Sequence, residues 1–173
     1  MRIQLRARTS TAAAVTGLLI TAATAGVHAA TPDQGERQRP RPTEAEIRDL
    51  FTEWNDAVLT GDPGEVADRY AADAVLEPTQ SNQIRTDREG IVDYFEHFLA
   101  QDPSGEINES HVEILGPNAA VDSGAYTFHL TNPQTGEPFD VAARYTFVYE
   151  RDARSGEWLI VNHHSSAMPE GRS

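Results

Sequence analysis

The sequence predicts an α+β fold in which about three N-terminal helices pack on one face of an antiparallel or mixed sheet. Apolar residues recur at helical spacing in the first part of the folded region, and the period changes to near two from Ile107 onward. Capping patterns mark the helix starts, and turns containing glycine or proline separate the strands. An order of helices followed by consecutive strands is typical of an α+β domain.

The first helix is predicted to begin at Thr43, because Thr43 and Glu46 form a capping-box pattern. Gly61 is the predicted stop signal. Between them one apolar face recurs at helical spacing, made of Ile47, Leu50, Phe51, Trp54, Ala57 and Val58. We expect this face to cover part of the sheet.

Two shorter helices are predicted next. Asp62 and Pro63 have the residue types of an N-cap and a first helical position, and the apolar face behind them extends to Tyr70. Thr86 and Glu89 repeat the capping-box pattern and predict the start of the third helix.

The strands are predicted from alternation and from β-branched and aromatic residues. A brief strand at residues 74–78 precedes the third helix and ends at a proline. Four more are predicted in sequence at His111–Leu115, Ala119–Thr131, Phe139–Glu150 and Glu157–Ser166. The last two are joined by a short turn with a glycine, which predicts a β-hairpin.

The N-terminal part of the chain has the pattern of a secretory signal. Residues 1–29 combine three arginines, an apolar and small-residue stretch, and Val27-His28-Ala29 at the predicted cleavage site. An uncleaved anchor is the alternative, although the apolar stretch is short for a membrane-spanning helix. Residues 30–42 are predicted to be a disordered spacer, and residues 43–170 to be one folded domain. We expect an exported protein, secreted or periplasmic, that is free of the membrane after cleavage.

Charge and composition exclude several functions. The chain has 27 acidic and 14 basic residues, and every basic residue is arginine; without the three signal arginines, 11 remain against 27, a net charge near −16. This balance disfavours nucleic acid and anionic membranes as partners. The absence of cysteine excludes disulfides and thiolate metal sites. The sequence also lacks a nucleotide-binding or zinc motif, so we expect neither a cofactor nor a metal.

The predicted hairpin carries the unusual polar residues. Alternation places Arg144 on one face of its strand. The opposite face holds Ala143, Tyr145, Phe147 and Tyr149. We interpret the aromatic face as core or dimer interface, and the Arg144 face as the lining of a pocket. Arg144 is then either a fork for a carboxylate ligand or half of a salt bridge with Glu77 or a helix acid.

Two histidines end the last predicted strand. His163 and His164 point to opposite faces, so only one of them can enter a given pocket, and parity does not decide which. The one inside would be an acid, a base or a hydrogen-bond donor; the alternative is a buried or interface histidine with its hydrogen bonds satisfied. Adjacent strand residues diverge, which makes the pair a poor metal site.

Four further candidates lie earlier in the chain. Glu77 could carry a proton, or pair with an arginine. Arg85 follows a polar loop near the expected pocket mouth, where it either assists an anionic ligand or is solvated. Trp54 and Tyr70 lie on apolar helical faces and are either pocket walls or core.

The order of these segments resembles the NTF2-like superfamily, the cone fold shared with ketosteroid isomerases and SnoaL-like cyclases. It is most similar to the association (hub) domain of calcium/calmodulin-dependent protein kinase II and its free-standing bacterial relatives. The resemblance covers residues 43–170 and rests on motifs that include Asn55-x-x-Val58-x-Thr60-Gly61-Asp62, Tyr70-Ala71-x-Asp73-Ala74, Tyr145-Thr146-Phe147-Val148-Tyr149 and Gly156-x-Trp158-Leu159-Ile160.

This resemblance implies a strongly curved sheet with a deep pocket on its concave face, and dimerisation through sheets. It also implies an arginine near Arg144 facing a pocket for small carboxylates, and a proton-transferring carboxylate at Glu77. Trp54 stands where the isomerases have their oxyanion tyrosine, which argues against steroid isomerisation. The sequence has no kinase domain, and its acidic or mixed helices are unlike the basic helices that calmodulin binds, so calmodulin is not an expected partner.

Taken together, these features predict an exported small-molecule-binding or self-association module with a pocket for a carboxylate-bearing ligand. The expected site residues are Arg144, His163, His164, Arg85, Tyr70 and Trp54. The alternative is a cofactor-independent isomerase or cyclase that uses Glu77 and His164 for acid/base chemistry on a hydrophobic substrate. A homodimer is predicted, because Tyr145, Phe147 and Tyr149 would otherwise form an exposed apolar patch.

Overall fold

The computed structural model describes residues 39–169. The predicted signal peptide, residues 1–29, and most of the predicted spacer, residues 30–42, therefore lie outside the described residues. Residues 39–43 contain no helix or strand. Within residues 39–169 no helix has the length and apolar content needed to cross a membrane.

Three helices lie in the N-terminal half: α1 Glu44–Leu59, α2 Pro63–Ala67 and α3 Arg88–Leu99. Thr43 caps α1 in the predicted capping box, and Asp62 caps α2 with Pro63 at its first position. The predicted cap of α3 is wrong by one residue. Asp87, not Thr86, is the N-cap, because its carboxylate accepts the Gly90 N–H at 2.8 Å.

Five strands form one mixed sheet in the order β1-β5-β4-β3-β2. Their bounds are β1 Tyr70–Glu77, β2 Ser104–Ile114, β3 Ala119–Thr131, β4 Pro138–Arg151 and β5 Trp158–Ala167. β1 runs parallel to β5 at one edge, and the remaining neighbours are antiparallel. The α+β prediction is confirmed, with two differences: Tyr70 begins β1 rather than ending a helix, and β2 begins at residue 104 rather than 111.

The cross-strand register divides the sheet into two faces. On the inner face, which the helices cover, one row runs through Asp122, Phe147, His163 and Leu76 on four neighbouring strands. On the outer face a parallel row runs through Ser123, Thr146, His164 and Glu77. The inner face is packed with aromatic rings from α1 and α3, so the core lies between the helices and this face.

The aromatic residues of β4 belong to the inner face. Tyr145, Phe147 and Tyr149 are at most 2 % exposed within a single chain. The apolar patch that motivated the homodimer prediction is therefore absent from the surface of the described residues, since these rings are buried and α1 packs on Tyr145 and Phe147. The homodimer itself stays a prediction.

Candidate functional site

A pocket opens on the inner face between α1, α3 and the middle of the sheet. The space inside it that a water-sized sphere can occupy is about 20 Å³, which is room for about one water molecule. Six of its lining residues are aromatic: Trp54, Tyr94, Phe95, Phe98, Tyr126 and Phe128. Its polar lining residues are Thr79, Gln80, His163 and Ser165. The residues that line it include no aspartate, glutamate or arginine, so the pocket is a narrow, largely apolar slot with a few polar groups.

His163 is the central polar residue of this pocket. Its ring is stacked on Phe147, with ring centroids 4.0 Å apart, and meets Trp54 edge-on. The residue is 4 % exposed. Its Nδ1 lies 2.9 Å from the Tyr70 hydroxyl, and the Trp54 indole N–H donates to the same hydroxyl at 3.1 Å. Nε2 is buried and has no hydrogen-bond partner among the described residues.

This chain of hydrogen bonds determines the tautomer of His163. The indole of Trp54 can only donate, so the Tyr70 oxygen accepts from it. If Tyr70 donates its hydrogen to His163 Nδ1, only Nε2–H is left unpaired, whereas a hydrogen on Nδ1 would leave both the Tyr70 hydrogen and Nε2 unpaired, so the first arrangement is favoured. A neutral imidazole that accepts at Nδ1 carries its hydrogen on Nε2. His163 therefore presents a buried N–H donor that lacks an acceptor.

Burial keeps the imidazole of His163 and the phenol of Tyr70 neutral. Removal from water lowers the pKa of His163 to about 3, and the neighbouring His164 lowers it further. Burial also raises the pKa of the Tyr70 hydroxyl well above its usual value, although the Trp54 hydrogen bond opposes this. At neutral pH the pair is thus phenol and imidazole rather than phenolate and imidazolium.

A second polar group in the pocket consists of three hydroxyls. Tyr126 donates to Ser165 Oγ at 2.5 Å, and Ser165 Oγ is hydrogen-bonded to Thr79 Oγ1. Tyr126 and Ser165 are both buried. Burial raises the pKa of Tyr126 well above its usual value, so its phenol stays protonated. The three side chains come from β3, β5 and the loop after β1, and they hold that loop against the sheet.

Of the sequence candidates, Trp54 and His163 line the pocket and Tyr70 lies directly behind His163. Arg85 is close to the mouth but is neither solvated nor free. Its guanidinium donates to the carbonyls of Gly90 and Gln83 and pairs with Asp93 at 3.2 Å. It therefore anchors the loop between β1 and α3.

The predicted placement of Arg144 is wrong. Arg144 is exposed on the outer face, where its guanidinium donates to Ser166 Oγ at 3.2 Å. Arg144 lies on the face opposite the aromatic residues of β4, as strand alternation predicts. The helices cover the aromatic face, however, so Arg144 is left on the uncovered one. The salt bridges expected as its alternative role are not formed with Glu77 or with any acid in residues 39–169.

Glu77 and His164 also lie on the outer face. They are directly paired across β1 and β5, and His164 Nδ1 is 3.4 Å from a Glu77 carboxylate oxygen. The structure thus brings the two predicted acid/base residues together, but on the side of the sheet opposite the pocket. The His164 side chain is 50 % exposed and the Glu77 side chain is 38 % exposed.

Sequence reasoning missed most of the pocket lining, including the three residues of the hydroxyl group, Thr79, Tyr126 and Ser165. A signal for Ser165 was present, because it lies two residues after His163 and so shares its face. Tyr126 could have been found in the same way, since it alternates with Phe128 along β3. Thr79 could not, because its position depends on the path of an irregular loop.

Comparison with known proteins agrees with this architecture. The family described as "Calcium/calmodulin dependent protein kinase II association domain" matches residues 43–169. The chain belongs to this family. A solved structure described as an association domain of this kind, from Xanthomonas campestris, is 54 % identical, with a TM-score of 0.71 over 75 % of this chain and 91 % of that one. No match was found among curated proteins.

More distant structures share the fold. A ketosteroid isomerase-like protein from Erwinia carotovora atroseptica is 20 % identical, with a TM-score of 0.61 over 73 % of this chain and 96 % of that one. An NTF2-like superfamily protein from Salmonella enterica is 15 % identical, with a TM-score of 0.63 over 73 % of this chain and 91 % of that one. This domain of the association-domain family thus has the NTF2-like fold.

Proposed function

We propose that this association-domain protein is a non-catalytic binding module whose pocket takes a small, flat, largely apolar and uncharged ligand, and that the aromatic side chains lining the pocket move apart to admit it. The observation that carries the proposal is the unpartnered Nε2–H of His163, buried in an aromatic slot. A buried donor without an acceptor costs about 1–3 kcal/mol. A ligand carbonyl or ether oxygen placed against Nε2 would remove that cost, and its apolar body would contact the rings around it.

The charges of the pocket support an uncharged ligand rather than the carboxylate expected from the sequence. That expectation depended on Arg144, which lies on the other face. The lining residues supply no cation, and His163 stays neutral because burial lowers its pKa to about 3. A carboxylate would also enter a strongly acidic chain, with a net charge of −13.

Acid/base catalysis has less support. The carboxylate and histidine proposed for it, Glu77 and His164, are on the outer face. Inside the pocket His163 has its Nδ1 occupied by Tyr70 and a pKa of about 3, which makes it a poor base at neutral pH.

Ligand binding can be tested with acetophenone and ethylbenzene, a ketone and its deoxygenated counterpart. We expect the ketone to bind more tightly, by a factor of about three to ten, which is the usual contribution of one neutral hydrogen bond. His163→Phe should remove this preference, whereas His164→Phe, which alters the exposed neighbour, should preserve it. Equal affinity of the two compounds for the wild-type protein, measured by calorimetry or Trp54 fluorescence, would contradict the proposal.

Self-association is a second role, and the outer face of the sheet is its best-supported surface. Its middle includes the short uncharged side chains of Val121, Ala125, Val148 and Thr146, beside the exposed Arg144 and the Glu77–His164 pair. Light scattering should therefore report a dimer, and Thr146→Arg should shift it towards monomer by placing a charge in the contact. A wild-type monomer at micromolar concentration would exclude this role.

Export remains part of the proposal on sequence grounds. The signal pattern in residues 1–29 places the mature N-terminus at Ala30 or Thr31. N-terminal sequencing of the native protein tests this directly, and retention of Met1 would contradict it.

A further inference from the structure

We propose that ligands enter the inner-face pocket from a polar groove beside α3, and that the side chain of Gln80 is the gate between the groove and the pocket. Gln101 holds this gate closed. The part that the gate has in ligand binding rests on the proposed function, but its opening can be measured without that ligand.

The groove lies outside the pocket, between α3 and the loop that joins β1 to α3. Its volume is about 310 Å³, whereas the pocket has room for about one water molecule. Gln80, Tyr94 and Phe98 line both the groove and the pocket. These three side chains therefore form a partition, and a molecule in the groove is one layer of side chains away from the pocket.

Two of the three partition residues are held by packing. Tyr94 and Phe98 are one turn apart on α3, and their stacked rings have centroids 5.7 Å apart. The Arg85 guanidinium lies over the Tyr94 ring. Phe98 is 5 % exposed and meets Phe128 edge-on. Movement of either ring disturbs several packed contacts, so neither of them is the first group to yield.

Gln80 is the partition residue that moves most easily. It is exposed, and among the described residues its side chain has one hydrogen bond, in which its Oε1 accepts from Gln101 Nε2 at 3.1 Å. The backbone on either side is anchored, by the bond between Thr79 and Ser165 and by the contacts of Arg85. Opening therefore needs only a rotation of the Gln80 side chain once its bond to Gln101 breaks.

Acrylamide quenching of Trp54 fluorescence measures how often the gate opens. Acrylamide is a planar, uncharged amide, and Trp54 lines the pocket at 2 % exposure. The chain has two tryptophans, so every protein in the test carries Trp158→Phe. We expect Gln101→Ala to raise the quenching rate constant about two- to tenfold, because loss of one neutral hydrogen bond increases the open fraction by that factor. Gln134→Ala, in the exposed turn between β3 and β4, is the matched control and should leave the constant unchanged.

A crosslink tests the closed state. The chain has no cysteine, so the double variant Gln80→Cys, Gln101→Cys can be joined selectively by a short bismaleimide. The control is the same variant treated with N-ethylmaleimide, which modifies both cysteines without joining them. The joined protein should have a quenching rate constant that is lower than that of the control by about two- to tenfold, since the open fraction falls.

Equal quenching in the parent protein and in Gln101→Ala overturns the inference, and so does equal quenching of the joined and unjoined proteins. A rise in quenching that is matched by an equal loss in the free energy of unfolding also overturns it, because the whole domain is then opening. If Trp158→Phe does not fold, the variants are compared with both tryptophans present, since Trp158 contributes equally to each. Failure of acetophenone to bind more tightly than ethylbenzene overturns the proposed function and leaves the gate intact.

Discussion

The hydroxyl of Tyr70 donates to Nδ1 of His163 at 2.9 Å, across 93 residues of sequence. This contact joins the first strand of the sheet to the last one. It also decides which nitrogen of His163 carries the hydrogen, because Trp54 occupies the other side of the same hydroxyl. One phenol thus links the packing of the core to the donor that the pocket presents.

Removal of that phenol should release the tautomer of His163. In Tyr70→Phe, Nδ1 loses its donor and Trp54 loses its acceptor, so we expect a loss of about 1–3 kcal/mol in the free energy of unfolding. The ¹⁵N shifts of the imidazole should change from a single Nε2–H form to a mixture. An unchanged tautomer would show that something other than Tyr70 fixes it.

The stability of the domain should fall as the pH drops from about 6.5 towards 3. The unfolded chain binds a proton on His163 near pH 6.5, whereas burial lowers the folded pKa to about 3, so acid favours the unfolded state. The contribution is present above pH 6.5 and is lost by up to about 1.4 kcal/mol per pH unit below it.

A difference measurement isolates this effect. Glu46 and Asp152, whose carboxyl pKa values are lowered by hydrogen bonds to backbone N–H groups, also favour unfolding in acid, while the raised pKa of His129, held by Asp140 and Glu106, acts in the opposite direction. Urea unfolding is therefore measured for wild type and for His163→Phe at several pH values. The contributions of the other titrating groups are the same in both proteins and cancel in the difference. Parallel pH profiles for the two proteins would contradict the assignment.

The two arginines considered in the sequence should differ strongly in their effect on stability. Arg85→Ala removes hydrogen bonds to two backbone carbonyls and the pairing with Asp93, so we expect about 2 kcal/mol of destabilisation. Arg144→Ala removes one exposed contact and should change stability by less than about 0.5 kcal/mol. Urea unfolding of both variants checks this, and equal losses would be inconsistent with the structure.

Gly124 should tolerate no side chain. A Cβ there would lie 1.9 Å from the Glu109 carbonyl oxygen, next to the irregular pairing between Ile107 and Glu109 on β2. Gly124→Ala should therefore destabilise the domain by about 3 kcal/mol, since backbone must move. Gly116→Ala is the matched control, because nothing lies within 4 Å of its added Cβ. Thermal melts that shift equally would refute the clash.

Much of the fold was predictable because its signals are local. The capping box at Thr43 and the alternation of residues 119–131 each decided an element without help from the rest of the chain. The first half of β2 was missed because residues 104–110 are mostly polar and lack alternation; they form a strand only because β3 pairs with them.

The site was less predictable, for two physical reasons. Strand parity separates Arg144 from the aromatic residues but does not say which side the helices cover. Strict alternation would place Ile160 and His163 on opposite faces of β5, yet both are buried on the inner face. The pairing of β5 with β4 shifts between Val148 and Tyr149, and the extra residue of β5 at this point changes which residues face inwards after it. That irregularity puts His163 inside and His164 outside, and it left no recognisable mark in the sequence.

The parallel pairing of β1 with β5 has a consequence for the newly synthesised chain. Three helices and β1 precede the other four strands in the chain, yet β1 pairs with β5, the last of the five strands. Pairs this distant in sequence close late and slowly, because a long loop must be ordered before they form. The aromatic faces of α1 and α3 therefore stay uncovered until the later strands are made, and this interval is when the growing chain is most prone to aggregation.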